Sequence, residues 1–193
     1  MIIGLTGYKR SGKTEVYRML NEAVGTAVGS GAIRRRFAQS LKDMLKAVGL
    51  EDEHVDGKLK ELPCDLLGGQ TPRWAMQTLG TEWGRNLIHP NLWVIFWIAS
   101  TSAVVKAAPW HCVVADDVRF PNEVDAVHSL GGQVWRISRP GCVSDGHESE
   151  SHIETLAADW EIKNDSSLDW LQTSVEYALD AMKARATTYE MRV

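Results

Sequence analysis

The stretch Gly7-Tyr8-Lys9-Arg10-Ser11-Gly12-Lys13-Thr14 fits GxxxxGK[ST] at every required position. Before it runs Ile2–Thr6, a short apolar segment closed by glycine, which predicts a buried parallel strand. After it, Gly12–Val24 places Val16, Met19, Leu20, Ala23 and Val24 on one face, the spacing of an amphipathic helix. Strand, motif and helix in that order give the motif its meaning. Glycines let the backbone turn so that successive N–H groups face inward. The helix N-terminus adds positive potential. The pattern predicts a phosphate-binding loop in which Gly7, Lys9, Arg10, Ser11, Gly12, Lys13 and Thr14 surround a triphosphate tail. Lys13 is expected to reach the β- and γ-phosphates, and the Thr14 hydroxyl to ligate Mg²⁺. Lys9 and Arg10 are weaker candidates, either holding phosphate or simply solvated.

Downstream, strand-like runs alternate with helical ones. Ile33–Ala38, His111–Ala115, Gln133–Ser138 and Trp160–Lys163 read as further strands. Leu41–Val48 reads as a helix stopped by Gly49, and Thr71–Gly84 as another, with Ala75, Leu79 and Trp83 at i, i+4, i+8. Pro90 opens a helix towards Lys106, Pro121–Leu130 is helical, and Ser166 is placed to cap a last helix running towards Arg185. Such alternation argues for an α/β fold: a three-layer α/β/α phosphate-loop domain around a five-stranded, mainly parallel sheet. The expectation is a single domain over 1–193, with its core at 1–38 and 110–193. A helical insertion at about 39–109 and a short lid at about 139–155 complete it.

Composition is that of an ordinary globular chain of 193 residues, 44% hydrophobic and 24% charged. A net charge of −4 gives no electrostatic case for long nucleic acid. Cys64, Cys112 and Cys142 are odd in number and widely spaced, which indicates neither a disulfide framework nor a zinc site and suits a reducing, cytoplasmic setting. No signal peptide is expected, nor a membrane span. The apolar Leu92–Ala99 reads as a buried core helix, and the tryptophans as mostly core; the helix near 92–105 is either core or the surface of a homodimer.

The third strand ends in Asp116-Asp117, where a carboxylate assists Mg²⁺ in phosphate-loop proteins. Spacing alone does not choose between the two. Arg73, Arg85, Arg119, Arg136 and Arg139 lie near element ends, while no convincing nucleophile–base pair is present. Many cations without a general base suit transfer of a phosphoryl group to another phosphate, which is already a nucleophile. Arg73 and Arg119 flank helix starts and suit phosphate forks; Arg136 reads as solvated or in a structural ion pair. His147 lies in a polar loop without metal-ligand spacing, and Trp74 is either packed or lines a base pocket.

Several segments together carry a resemblance. They are the phosphate loop, Phe37-Ala38-Gln39-Ser40-Leu41-Lys42, Thr71-Pro72-Arg73, Gln77-Thr78-Leu79-Gly80-Thr81-Glu82 with Arg85, and Pro90 with Trp93. Asp117-Val118-Arg119-Phe120-Pro121-Asn122-Glu123, Arg139-Pro140 and Asn164-Asp165 extend it. In this order they resemble the bacteriophage deoxynucleoside monophosphate kinases. The resemblance implies transfer of the ATP γ-phosphate to a deoxynucleoside monophosphate, in the host cytoplasm for a chain of phage origin. It implies ATP and Mg²⁺ on Lys13 and Thr14, with Asn164 beside the nucleotide and Asp117 at the acidic position. Arg73, Trp74, Gln77 and Arg85 would form the acceptor segment; Arg119 and Arg139 would act on the transferring group, with Arg139 leading into the lid. A same-fold kinase with another acceptor, such as dephospho-coenzyme A, and a slowly hydrolysing nucleotide switch are the competing readings.

Overall fold

The computed structural model describes residues 1–28, 31–109, 111–143 and 152–190. The chain forms two compact units, one of Met1–Arg35 with Thr101–Val193, the other of Arg36–Ser100.

The first unit is built on five strands: β1 (Ile2–Thr6), β2 (Ile33–Arg34), β3 (Val113–Ala115), β4 (Gln133–Ser138) and β5 (Trp160–Lys163). They lie in the order β2-β3-β1-β4-β5, and every neighbouring pair is parallel. All five residues of β1 are buried, as a central parallel strand covered on both faces requires. Alternate residues separate the faces. Ile3 and Leu5 of β1, Val114 of β3, Trp135 and Ile137 of β4, and Ile162 of β5 pack with α1 (Lys13–Val28) and α7 (Leu168–Glu190). Helix α6 (Pro121–Ser129) packs against β1 and β4 with Val124 and Val127 buried. Gly4, offset by one residue from Ile3, faces Val127 and Val134. The three layers expected from the alternating pattern are therefore present.

The second unit holds α2 (Gln39–Ala47), α3 (Asp52–Val55), two short 3₁₀ turns, α4 (Pro72–Thr78), a π-helix (Leu79–Ile88) and the beginning of α5 (Leu92–Ala107). Its core gathers Leu41, Leu45, Leu50, Val55, Met76 and Trp93.

Local differences from the sequence expectation have identifiable causes. Strand two stops at Arg34 rather than Ala38, because Phe37 is buried in a stack with Trp97, centroids 4.4 Å apart, instead of continuing the ladder. The single helix expected over Thr71–Gly84 changes winding at Leu79. Wider i→i+5 turns rotate the stripe begun by Ala75 and Leu79, so Trp83 is 37% exposed and Gly84 takes the buried position. Trp93, Trp97 and Trp135 are core as expected, whereas Trp74 and Trp170 are exposed. Helix α5 buries Trp93, Val94 and Trp97 but leaves Ile95 and Phe96 exposed, so it is not a wholly buried core helix. The final helix is capped by Ser167, not Ser166: its Oγ accepts the Trp170 N–H at 3.2 Å. Among the described residues, no single helix is long and apolar enough to cross a membrane.

Candidate functional site

The loop between β1 and α1 has a shape that only its glycines allow. Gly7 sits at φ +145° and Gly12 at φ +110°. At Gly7 the space is closed by backbone, and at Gly12 by a side chain. A Cβ on Gly7 would lie 2.3 Å from the Ile137 carbonyl oxygen, and one on Gly12 would lie 2.4 Å from Asn164 Nδ2. Arg10 also takes a left-handed conformation, φ 68°, which is uncommon outside glycine and marks stored strain in the loop. The Ser11 N–H closes the turn on the Tyr8 carbonyl at 3.1 Å.

Lys13 folds back over this loop. Its Nζ donates to the Gly7 carbonyl at 2.6 Å and the Tyr8 carbonyl at 2.7 Å. Thr14 is exposed in the first turn of α1, and Lys9 and Arg10 are exposed on the loop. The Thr6 and Ser11 hydroxyls are buried and have no hydrogen-bond partner among the described atoms. A glycine loop running into a helix start, crossed by an ammonium, is equipped to take an anion.

Strand β3 lies beside β1, with Gly4 opposite Ala115, so both strands end at the same edge of the sheet. Asp116 and Asp117 follow there, and the Val118 N–H donates back to the Leu5 carbonyl at 3.2 Å. The structure separates the two aspartates. Asp116 is buried at 6% exposure and takes the Arg34 guanidinium on both oxygens, Nε on Oδ1 at 3.0 Å and Nη2 on Oδ2. The same guanidinium carbon lies 4.9 Å from the centroid of the Tyr17 ring. Asp117 is only partly buried. Arg119 follows on a turn held by Glu123, whose carboxylate accepts the Arg119 N–H at 2.7 Å and the Phe120 N–H at 3.2 Å.

Arg139 is exposed just after β4. His147 and residues 144–151 of the expected lid lie outside the described residues. Asn164 follows β5, and its amide donates to the Ser11 carbonyl at 2.9 Å. Arg136 is half-buried and donates to the Leu156 carbonyl rather than to a carboxylate. The described residues gather no group of three or more His, Cys, Asp or Glu suited to a metal. The oxygen donors at this edge are the Thr14 hydroxyl and the Asp116 and Asp117 carboxylates, a hard and sparse set. That set fits Mg²⁺, which keeps water and phosphate oxygens as its other ligands.

In the second unit, Arg73, Trp74 and Gln77 lie on α4 and Arg85 on the π-helix. Arg73 Nε is 2.5 Å from Glu61 Oε1, Trp74 is exposed, and Arg85 Nη1 donates to the Pro90 carbonyl at 3.4 Å. One charged cluster escaped the sequence reading. Arg36 makes two bonds to Asp56, at 2.7 and 3.0 Å, and Lys42 adds a third at 2.6 Å. Lys42 is only 7% exposed. The available signal was its place between Leu41 and Leu45 on the apolar face of α2.

Burial alone would raise the Asp56 pKa, but hydrogen bonds from Arg36 and Lys42 outweigh it and hold the carboxyl well below its usual range. A depressed folded-state pKa adds stability above the unfolded value, about 4, and that stability fades as pH falls below it. Asp56→Asn is therefore expected to lower the melting midpoint at neutral pH, with a gap that starts to narrow below about pH 4 and closes only well under the usual carboxylate range. Thermal melts across that range check it, and a gap independent of pH would contradict it.

Comparison with known proteins adds a consistent picture. The family model for deoxynucleotide monophosphate kinase matches residues 69–175. A protein of Acanthamoeba polyphaga mimivirus assigned as a deoxynucleotide monophosphate kinase is 35% identical over 167 residues, 81% of this chain and 83% of its own length. The deoxynucleoside-5′-monophosphate kinase of Escherichia phage T5 is 31% identical over 102 residues, 49% of this chain and 39% of that one. The deoxynucleotide monophosphate kinase of Enterobacteria phage T4 is 25% identical over 122 residues, 61% and 51% of the two chains. Among solved structures, the shikimate kinase of Aquifex aeolicus aligns over 97% of this chain and 99% of its own at 13% identity, with a TM-score of 0.41.

Proposed function

This chain belongs to the deoxynucleotide monophosphate kinase family, and we propose from that premise how its residues divide the work. It is a phosphotransferase acting on a deoxynucleotide monophosphate. The observation that carries our assignment of roles is the shared sheet edge, where the glycine loop ends β1 and Asp116-Asp117 ends β3. ATP is the donor, its triphosphate held by the loop amides and Lys13. Lys13 exchanges its carbonyl partners for the β- and γ-phosphate oxygens, a charge-assisted replacement for two neutral bonds.

Thr14 and Asp117 would hold Mg²⁺, the latter directly or through water, since Asp117 holds the acidic position of the resemblance and is the more exposed of the two carboxylates. Such an ion would neutralise charge developing on the β- and γ-phosphates. Arg119 and Arg139 stabilise the transferring phosphoryl group. The acceptor phosphate, ionised at neutral pH, attacks in line without a general base, which agrees with the lack of a nucleophile–base pair in the sequence.

Arg73, Gln77, Arg85 and Trp74 receive the monophosphate. Glu61 takes Nε of Arg73, which turns the rest of the fork to a phosphate. Arg73→Ala is expected to raise KM for the monophosphate by more than tenfold, the usual worth of a charge-assisted hydrogen bond, with KM for ATP nearly constant. Steady-state kinetics with each substrate varied in turn measure this, and a rise in KM for ATP alone would move Arg73 out of the acceptor segment. The reaction itself is tested by following ATP consumption with each deoxynucleoside monophosphate and with none. ATP should be consumed only when an acceptor is present; consumption at the same rate without one would replace the kinase reading with a hydrolytic switch.

A further inference from the structure

A peptide unit is planar and trans, so its C=O and N–H point to opposite sides. Whatever fixes the direction of one fixes the other. The carbonyl of Ser11 has such a fixing partner, the side-chain amide of Asn164, at 2.9 Å. Because the acceptor is a carbonyl, the near atom of the Asn164 amide has to be its nitrogen. The arm that carries this amide is rigidly rooted. Its own N–H donates to the Ser138 carbonyl at 2.7 Å, one step beyond the Ser138–Lys163 pair that ends the β4–β5 ladder. Gly12 makes room for it, since any Cβ there would meet Nδ2 at 2.4 Å.

We propose that Asn164 is a positioning residue for the phosphate loop: by holding the Ser11 carbonyl it turns the Ser11–Gly12 peptide so that the Gly12 N–H faces the triphosphate tail. The inference rests on the reading of the loop as the triphosphate site and deepens it. It gives Asn164 a task different from the contact with the nucleotide that family resemblance implies. The sheet edge preorganises an amide donor that would otherwise have to be ordered by the ligand itself, and preorganisation is where such a site gains affinity.

The two tasks separate when the tail is offered without the nucleoside. Titrations of the full chain with MgATP and with inorganic tripolyphosphate, the latter also as a competitor of ATP, are run on the parent and on Asn164→Asp, Asn164→Ala and Lys13→Ala. Aspartate keeps the shape and the backbone bond to Ser138, but its carboxylate cannot donate to a carbonyl. Both Asn164 variants should weaken ATP and tripolyphosphate by the same factor, about tenfold for one lost orienting hydrogen bond. KM for ATP should rise with it, while KM for the monophosphate and the melting midpoint stay near those of the parent. Weakened ATP with unchanged tripolyphosphate would overturn the inference in favour of a contact with the nucleoside. Unchanged affinity for both would overturn it outright, as would a parent ATP site for which tripolyphosphate does not compete, or equal rises in both KM values. A parent that binds neither ligand, or a Lys13→Ala variant that binds both normally, would instead refute the loop assignment itself.

Discussion

Lys13→Ala is expected to lower kcat by about three orders of magnitude, the scale for removing a donor that stabilises transition-state charge. The Lys13 ammonium bridges the Gly7 and Tyr8 carbonyls, so it already occupies the centre of the loop where the tail would lie. Charge on the transferring phosphoryl group and its bridging oxygen has to be met there, and no neighbouring arginine can take over a position defined by the first turn of α1. The fold should survive. Lys13 lies outside the buried core of its unit, whose contacts come from Val16, Met19 and Leu20 further along the helix. The measurement is single-turnover phosphoryl transfer beside a circular-dichroism melt. Near-parental turnover in a folded variant would reject the loop as the donor site.

Trp93→Ala carries the largest expected loss of stability, about 3–5 kcal/mol, the usual cost of truncating a buried tryptophan. The indole of Trp93 is 2% exposed and lies against Gly84 so closely that a Cβ there would meet its Cζ2 at 2.4 Å. Its Nε1 donates to the Gly80 carbonyl at 2.7 Å. Removing the ring empties the core of the second unit and leaves that carbonyl without this donor, two losses that add. The midpoint of thermal unfolding should fall on the order of 10 °C. Trp93→Phe keeps most of the volume but not the donor, so it should lose distinctly less. If alanine and phenylalanine variants melted together, the hydrogen bond rather than the packing would dominate.

The arginines proposed for the acceptor and the core that supports them were unequally legible. Arg73 stood out because Thr71-Pro72 announces a helix start, and Thr71 does cap α4 by accepting the Trp74 N–H. The π-helix that carries Arg85 was not legible. Its winding goes with an indole from α5 seated against its glycines, and no helical propensity within Leu79–Ile88 encodes that partner. The Arg36–Lys42–Asp56 cluster escaped for a similar reason, since its members come from three separate short segments.

By itself the sequence determined the phosphate loop and the parallel α/β frame. Both follow from interactions between near neighbours: glycine dihedrals, one strand's apolar run, one helix's apolar stripe, and turns that follow in order. Tertiary structure alone decided what holds Asp116 and what braces the loop. Asp116 and Asp117 are equivalent by spacing, yet Asp116 is buried against Arg34, 82 residues away in sequence, while Asp117 is only partly buried. Asn164 reaches Ser11 across 153 residues. Directional bonds of that kind form only after the strands that carry both partners have been packed side by side, and no local pattern in the chain records which partners will meet.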